Sequence, residues 1–453
     1  MTSTFFGLQI GASALRAHQR AMETIAHNVA NVNTEGYSRQ EVILAPSWLS
    51  VGDRGGRVVL GAGVNVVGIQ RYASMFLAQQ MRLESGEKAR WEALGDALRQ
   101  IQTLFQEPNE EGLGALFDRF WAAWRDLATD PTNPTLRTQV RTAAEDLATQ
   151  FRERQQDLVR LQSELGDRIR GGLAEINDLA TRIADVDRQI RQGMASGSPP
   201  NDLLDQRDRL LAELGDLARI TTTLSAGGGI TVTLGGHVLV SEQGVNQIDT
   251  TADPPTWADD GSEVQFWGGE LLGLFEARDQ QVVAYLGRLN ELASKLIEGV
   301  NAVHRNGYGL NNATGLDFFA GSGAGDIRLA DAILNDLNNI AAASAPDAPG
   351  DGSGALALAQ VANAPLTAEG TSLGSYYNAT IALIGWGVQR AEAQTNNQSL
   401  LLQHLNERRD AISGVSLDEE TIKLISSQRA YQAAARVIAA MDEMLEQLIG
   451  LGR

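Results

Sequence analysis

Ile169-Arg170-Gly171-Gly172-Leu173-Ala174-Glu175-Ile176-Asn177-Asp178-Leu179-Ala180-Thr181-Arg182-Ile183-Ala184-Asp185-Val186-Asp187-Arg188-Gln189-Ile190 is the stretch that decides how this chain is built. Ile169, Gly172, Ile176, Leu179, Ile183, Val186 and Ile190 alternate steps of three and four, the spacing of a coiled-coil seam. Helical patterning reaches back to Asp130-Pro131-Thr132-Asn133-Pro134, where Asn133 suits a cap and Pro134 a first turn. It runs forward to about Gly193. A helix of roughly 60 residues at ~1.5 Å each makes a rod ~90 Å long. No compact single domain needs such a helix, so the sequence predicts an elongated, mainly α molecule. Gly171-Gly172 marks the place where the rod is expected to break, if anywhere.

Working outward, both chain ends read as helices with one apolar seam each. Over residues 4–32, Leu8, Leu15, Met22 and Val29 recur every seven positions, with Ile25 and Val32 as a second row. Leu424, Tyr431, Ile438 and Leu445 repeat that spacing at the far end, with Ser427, Ala434, Met441 and Leu448 beside them. Ala433-Ala434-Ala435 permits a close neighbour. The two ends are expected to pair as a coiled coil. An isolated helix of this length gains most of its stability from burying its seam. Each seam residue contributes roughly 1.5–3 kcal/mol when fully buried. Two paired ends leave both seams partly wet, so ordering is expected to accompany assembly with neighbours.

Between the ends the pattern changes. Glu35–Ala45 reads as extended, and Arg57–Arg71 as a hairpin whose runs Val58–Leu60 and Val64–Ile69 join through Gly61 and Gly63. Helices are predicted from about Ser74 to Glu107, over Leu113–Thr129 and over Asn201–Leu217. Ile220–Leu224, Ile230–Leu234 and His237–Val240, separated by glycines, predict a small β insert. Helix resumes over Leu271–His304, and Gly321–Pro365 is loop-rich with one short helix. A long helix follows from Ser372 to Ile412. The expected organisation is a terminal helical domain (1–45 with 413–453), a long-helix rod domain carrying the hairpin (46–218 with 269–412), and a β insert (219–268).

Chemistry is sparse. With 56 acidic against 37 basic residues the net charge is −19, which repels phosphate backbones and excludes nucleic acid as a partner. There is no cysteine, hence no disulfide, thiolate metal site or cysteine nucleophile. The first 22 residues lack a secretory signal, and no run of about 18 apolar residues predicts membrane insertion. His18, His27, His237, His304 and His404 are scattered without metal-ligand spacing, so neither metal nor cofactor is expected. The glycine runs at 61–63 and 321–325 lack the context of a phosphate cradle. Asp418-Glu419-Glu420, just after Ser416, suits a helix start better than a catalytic pair. The chain does not read as an enzyme.

Two motifs are specific. Asn28-Val29-Ala30-Asn31-Val32-Asn33-Thr34-Glu35-Gly36-Tyr37-Ser38-Arg39-Gln40 resembles the N-terminal signature of the flagellar axial proteins of rod, hook and junction. Its asparagines can bond nearby backbone as the helix ends, Gly36 tolerates a positive φ, and Tyr37 is an aromatic anchor. Ser427-Gln428-Arg429-Ala430-Tyr431-Gln432-Ala433-Ala434-Ala435-Arg436-Val437-Ile438 resembles the C-terminal helix of the same family. Gly414–Glu420, Ser198–Asp208 and Gly315-Leu316-Asp317-Phe318-Phe319 resemble its hook-associated junction branch, with a hook or distal-rod subunit as the alternative.

The resemblance implies a structural role at the hook–filament junction, outside the cell, reached unfolded through the flagellar type III route without a cleaved signal peptide. It implies a ring of identical subunits between the hook protein and a second junction protein, and a cytoplasmic export chaperone. Leu8, Leu15, Met22, Asn28, Val29, Asn31, Asn33, Thr34, Gly36, Tyr37, Leu424, Tyr431, Ile438 and Leu445 are the expected assembly interface. Only Ala320–Leu366 stands where longer members carry further β-rich material, so an outer domain is expected to be reduced or absent.

Overall fold

A computed structural model describes residues 4–53, 56–105, 112–197, 199–225 and 227–450, without the side chains of 4–5, 50–59 and 448–449. Expectations on Gln106-Glu107, Ser198 and the side chains of Val58, Val59 and Leu448 lie outside the described residues. In chain order, helix α1 (Thr4–Ala30) precedes strands β1 (Gln40–Asp53) and β2 (Gly56–Arg71). Helices α2 (Met75–Phe105), α3 (Leu113–Thr129), α4 (Pro134–Ala195) and α5 (Asn201–Leu217) follow. Strands β3 (Ile220–Leu224), β4 (Ile230–Leu234), β5 (His237–Ser241), β6 (Gly244–Val245), β7 (Ile248–Asp249) and β8 (Thr256–Trp257) come next. Then come α6 (Glu270–Phe275), a π-helical segment Glu276–Val282 and α7 (Val283–His304). After the short strands β9 (Phe319–Ala320) and β10 (Arg328–Leu329) come α8 (Asp331–Asn335), α9 (Ser353–Gln360), α10 (Leu373–Ser413) and α11 (Leu417–Gly450). The fold is mainly helical, with long terminal helices and small sheets in the middle.

Helix α4 is one unbroken helix of 62 residues. Its seam is core: Ile169, Ile176, Leu179, Ile183, Val186 and Ile190 are all buried. The Gly171-Gly172 pair does not interrupt it. A Cβ on Gly172 would stand 2.8 Å from Leu271 Cδ2, so the glycine there gives α6 room to approach.

The chain divides into two compact units. The first comprises 1–87, 173–269 and 398–453. In it α1 and α11 pack antiparallel. Gly7 faces Met441 and Gly11 faces Ile438, where a Cβ at either glycine would meet the opposing side chain at 2.7 Å. The extended segment and the expected hairpin are in fact the two arms of one larger hairpin, with Gln40 opposite Arg71 and Asp53 opposite Gly56. Pairing along both arms satisfies more backbone than folding 57–71 on itself. Gly61 and Gly63 lie inside β2 rather than in a turn, beside a bulge at Ser47/Trp48. Gly63 has φ +100°, and a Cβ there would sit 2.2 Å from Ser13 Oγ, so the hairpin lies close on α1. Ser13 Oγ donates to Ile10 O and accepts from the Val64 N–H (2.8 and 3.2 Å).

The β segment is an antiparallel meander in the order β3-β4-β5-β6, with β7-β8 beside it. Buried Asp187 of α4 accepts from Ile230 N–H and Arg207 Nη1 (3.0 Å each), and Arg207 also donates to Gly228 O. Asn177 exchanges two hydrogen bonds of 2.9 Å with the backbone of Ile248. The insert is thus bonded to the helices of its own unit.

The second unit comprises 88–172 and 270–397. Phe318 and Phe319 are fully buried against Phe120 and Trp124 of α3, with ring centroids 5.1–6.1 Å apart. The loop-rich region contains two short helices, α8 and α9, rather than one. Buried Arg137 holds it by donating to Pro131 O, Leu337 O and Ile340 O, and burial lowers its pKa to about 10.

His304 holds the same region from the other side. Its Nδ1–H donates to Leu316 O (2.7 Å) and its Nε2 accepts from Ala341 N–H (3.0 Å). Burial holds the imidazole below its ordinary 6.5. As pH falls, the unfolded chain takes the proton first, so this stabilisation is complete above the unfolded value and is lost below it. Protonated Nε2 would also face an N–H as a donor. Between about pH 7 and about pH 5, the wild type should lose stability that a His304→Gln variant, already weakened by about 1–3 kcal/mol, does not lose. Urea unfolding midpoints across that range are the measurement; parallel curves for the two proteins would refute the assignment.

Candidate assembly interface

The signature motif folds into a polar clasp that joins α1, β1, β2, α5 and α11 of the first unit. Asn28, buried at the end of α1, uses every bonding position of its amide. Its Nδ2 donates to Gln40 O and to Glu420 Oε2, both at 2.8 Å. Its Oδ1 accepts from Tyr37 OH at 2.8 Å and from Gln40 N–H at 3.0 Å. The first turn of α11 is thereby tied to the last turn of α1 and to the start of β1. Glu420 is buried, so it does more than start a helix.

Helix α5 closes the clasp from the other side. Asp205 accepts from Ser38 N–H (3.1 Å) and pairs with Arg71, while Asp202 accepts from Gln40 Nε2 (2.9 Å). Asn201 donates to Gln40 Oε1 and to Ile69 O, both at 3.1 Å. Burial raises the Asp205 pKa, and Arg71 and the Ser38 N–H oppose that rise. Burial also pushes the Tyr37 phenol up, helped by Asp202, Asp205 and Glu420, which keeps it a donor. Its oxygen also meets His27 Nδ1 at 3.0 Å. Gly36 takes φ +74° under the stem of Arg209, whose Nη1 donates to Glu35 O. A Cβ there would stand 2.5 Å from Arg209 Cγ. The loop residues 31–39, with parts of α2, α5 and α10, line a groove of about 1430 Å³.

The expected interface residues therefore separate by position. Asn28 is interior. Asn31 and Tyr37 are half-buried, and Asn33, Thr34 and Gly36 are exposed on the loop, with Thr34 Oγ1 donating to Asn31 Oδ1. Leu8, Leu15, Met22, Tyr431, Ile438 and Leu445 are half-buried along the α1–α11 contact, while Val29 and Leu424 are exposed. This contrasts with α4, whose seam is closed.

Helix α11 has a second apolar face that the heptad reading does not single out. Ile422, Ile425, Val437 and Met444 are exposed, with Ala433 and Ala440 between them. Ile422, Val437 and Met444, with Ala433 and Ala440, form a stripe about 120° around the helix from the inner seam, and Ile425 stands apart from it. The close approach at Gly7 and Gly11 also escapes that reading, although two glycines four apart on a seam are a legible sign. Glu420, Gln40, Asp202 and Asp205 leave no local sign of their roles.

The chain is similar to known flagellar proteins. A family model described as flagellar hook-associated protein FlgK helical domain matches residues 98–319. Models for the flagellar basal body rod FlgEFG protein C-terminal and for flagella basal body rod protein match 410–451 and 8–37. Flagellar hook-associated protein 1 of Bacillus subtilis is 30% identical over 505 residues, covering 100% of this chain and 99% of that protein. The protein of the same name from Salmonella typhimurium is 30% identical over 324 residues, covering 68% of this chain and 58% of that one. A solved structure, of the flagellar hook junction protein FlgK from Burkholderia pseudomallei, shares the fold with TM-score 0.63 at 15% identity. It covers 74% of this chain and 100% of that one.

Proposed function

This chain belongs to the flagellar hook-associated protein 1 family, and from that premise we propose that it works as a structural subunit of the junction between hook and filament, needed for filament assembly. The observation that carries the proposal is the match along 100% of the chain to a relative of that name. The family is one of structural flagellar proteins that assemble with other axial proteins, and its place is the flagellum. The two models of rod proteins match only the ends, whereas the hook-associated model matches 98–319, which favours the junction over a hook or distal-rod subunit.

Within this reading the subunits form a ring on the hook protein and receive a second junction protein above. The chain leaves the cell unfolded by the flagellar type III route, escorted in the cytoplasm by an export chaperone, and performs no catalysis. The half-wet seam of α1 and α11 and the exposed loop residues 33–36 are the surfaces completed by neighbouring subunits. The division into terminal, rod and β-insert parts belongs to the same reading.

A strain deleted for the gene should build hooks without filaments and release monomeric filament protein into the medium. Loss of hooks would favour the hook or rod alternative. Filaments of normal length and attachment would remove the junction role altogether.

A further inference from the structure

We propose that His237, Asp259 and Asp260 form a binding site for a transition-metal dication, with zinc as the best fit. The fold brings a residue of β5 to the turn that follows β8. The candidate ligand atoms, one per residue, all lie within 4.8 Å of one another. His237 Nε2 stands 3.6 Å from Asp259 Oδ2 and 3.5 Å from Asp260 Oδ2. Two ligands on one tetrahedral zinc, each about 2.0–2.2 Å from the metal, stand about 3.4 Å apart. The spacing is long for a hydrogen bond and right for a shared ion.

The surroundings orient each ligand. His237 Nδ1 faces Val238 O at 3.3 Å, so with an ion bound the ring can keep its proton there and offer its Nε2 lone pair to a metal held between the two carboxylates. A backbone carbonyl on the second ring nitrogen is the usual support of a metal-bound histidine. The ring stacks on buried Trp257, centroids 4.2 Å apart and planes 17° from parallel. Asp260 uses Oδ1 to accept from Ser262 N–H and Oγ–H (2.8 and 2.6 Å), leaving Oδ2 for the ion. The turn carrying both aspartates is fixed by Trp257 N–H to Ser262 O and Gly261 N–H to Trp257 O. One imidazole and two carboxylates select zinc or nickel over magnesium or calcium, and three protein ligands leave a fourth position for water.

Titration of the full chain with zinc chloride by calorimetry should give one equivalent that depends on these side chains. His237→Ala and the Asp259→Asn, Asp260→Asn pair should each weaken that equivalent by at least about tenfold. Magnesium and calcium chloride should give no matching heat. Nickel chloride should quench part of the tryptophan emission in the wild type and not in His237→Ala, because Trp257 touches the ligand ring. The two variants alter different segments, a strand and a turn, so a loss shared by both reports the site rather than misfolding. No zinc heat in the wild type, or heat unchanged in both variants, would overturn the proposal.

Discussion

Asn28→Asp should release α11 from the signature motif and cost about 3–5 kcal/mol of stability, the range for an uncompensated buried charge. The substitution keeps the shape of the side chain and removes both N–H donors. Gln40 O then loses its side-chain donor, and a new carboxylate faces Glu420 Oε2 across a distance now spanned by a 2.8 Å hydrogen bond. Asn28 and Glu420 are both about 1% exposed, so water cannot separate the two charges. Glu420→Gln should restore most of the loss in the double variant, because its amide can donate to the carboxylate introduced at position 28 and so rebuild the bond with its direction reversed.

The coupling between the two positions should fall at about 1–3 kcal/mol in a double-mutant cycle. Hydrogen exchange should locate the effect: residues 22–42 and 417–424 exchange faster in Asn28→Asp and recover with Glu420→Gln. Additive losses, or a single variant as stable as the wild type, would mean that the clasp does not hold the ends together.

Much of this fold is written locally and was legible on that account. The seam of α4 repeats a three-four step along many turns, and such a repeat has one structural solution. The paired chain ends follow for the same reason. Pairing between distant segments was harder. Strand β1 loses its alternation at the bulges Ile43/Leu44 and Ser47/Trp48, so it did not announce β2 as its partner. Glu420 sits where an acidic residue suits the helix dipole, and its bond to Asn28 spans 392 positions. The loop-rich region looked unstructured because Arg137 and His304, which organise it, lie far upstream. The cluster at His237 is invisible in spacing for the same reason.

Ile438→Asp and Val437→Asp should both leave the chain exportable and both abolish filament attachment, while differing in the free subunit. Ile438 lies on the inner seam, 2.7 Å from where a Gly11 Cβ would be. A carboxylate there faces α1, so the variant should loosen the α1–α11 pair by roughly 1–2 kcal/mol, part of what a fully buried aliphatic side chain contributes, because Ile438 is half-buried. Val437 is 45% exposed, on the stripe with Ile422 and Met444, and its substitution should leave the free subunit within about 0.5 kcal/mol of wild type. In the proposed ring the same change would place a charge in every repeat of the contact, and the loss would multiply. Leu15→Asp should follow Ile438→Asp. Hydrogen exchange on the free wild-type subunit should be fast over 4–21 and 425–450, beyond the clasp, and slow over the closed seam of α4, because half-buried seams protect poorly. Strong protection of both terminal helices in a verified monomer would make them ordinary core helices. Normal filaments on Val437→Asp hooks would show that the outer stripe of α11 meets no neighbour.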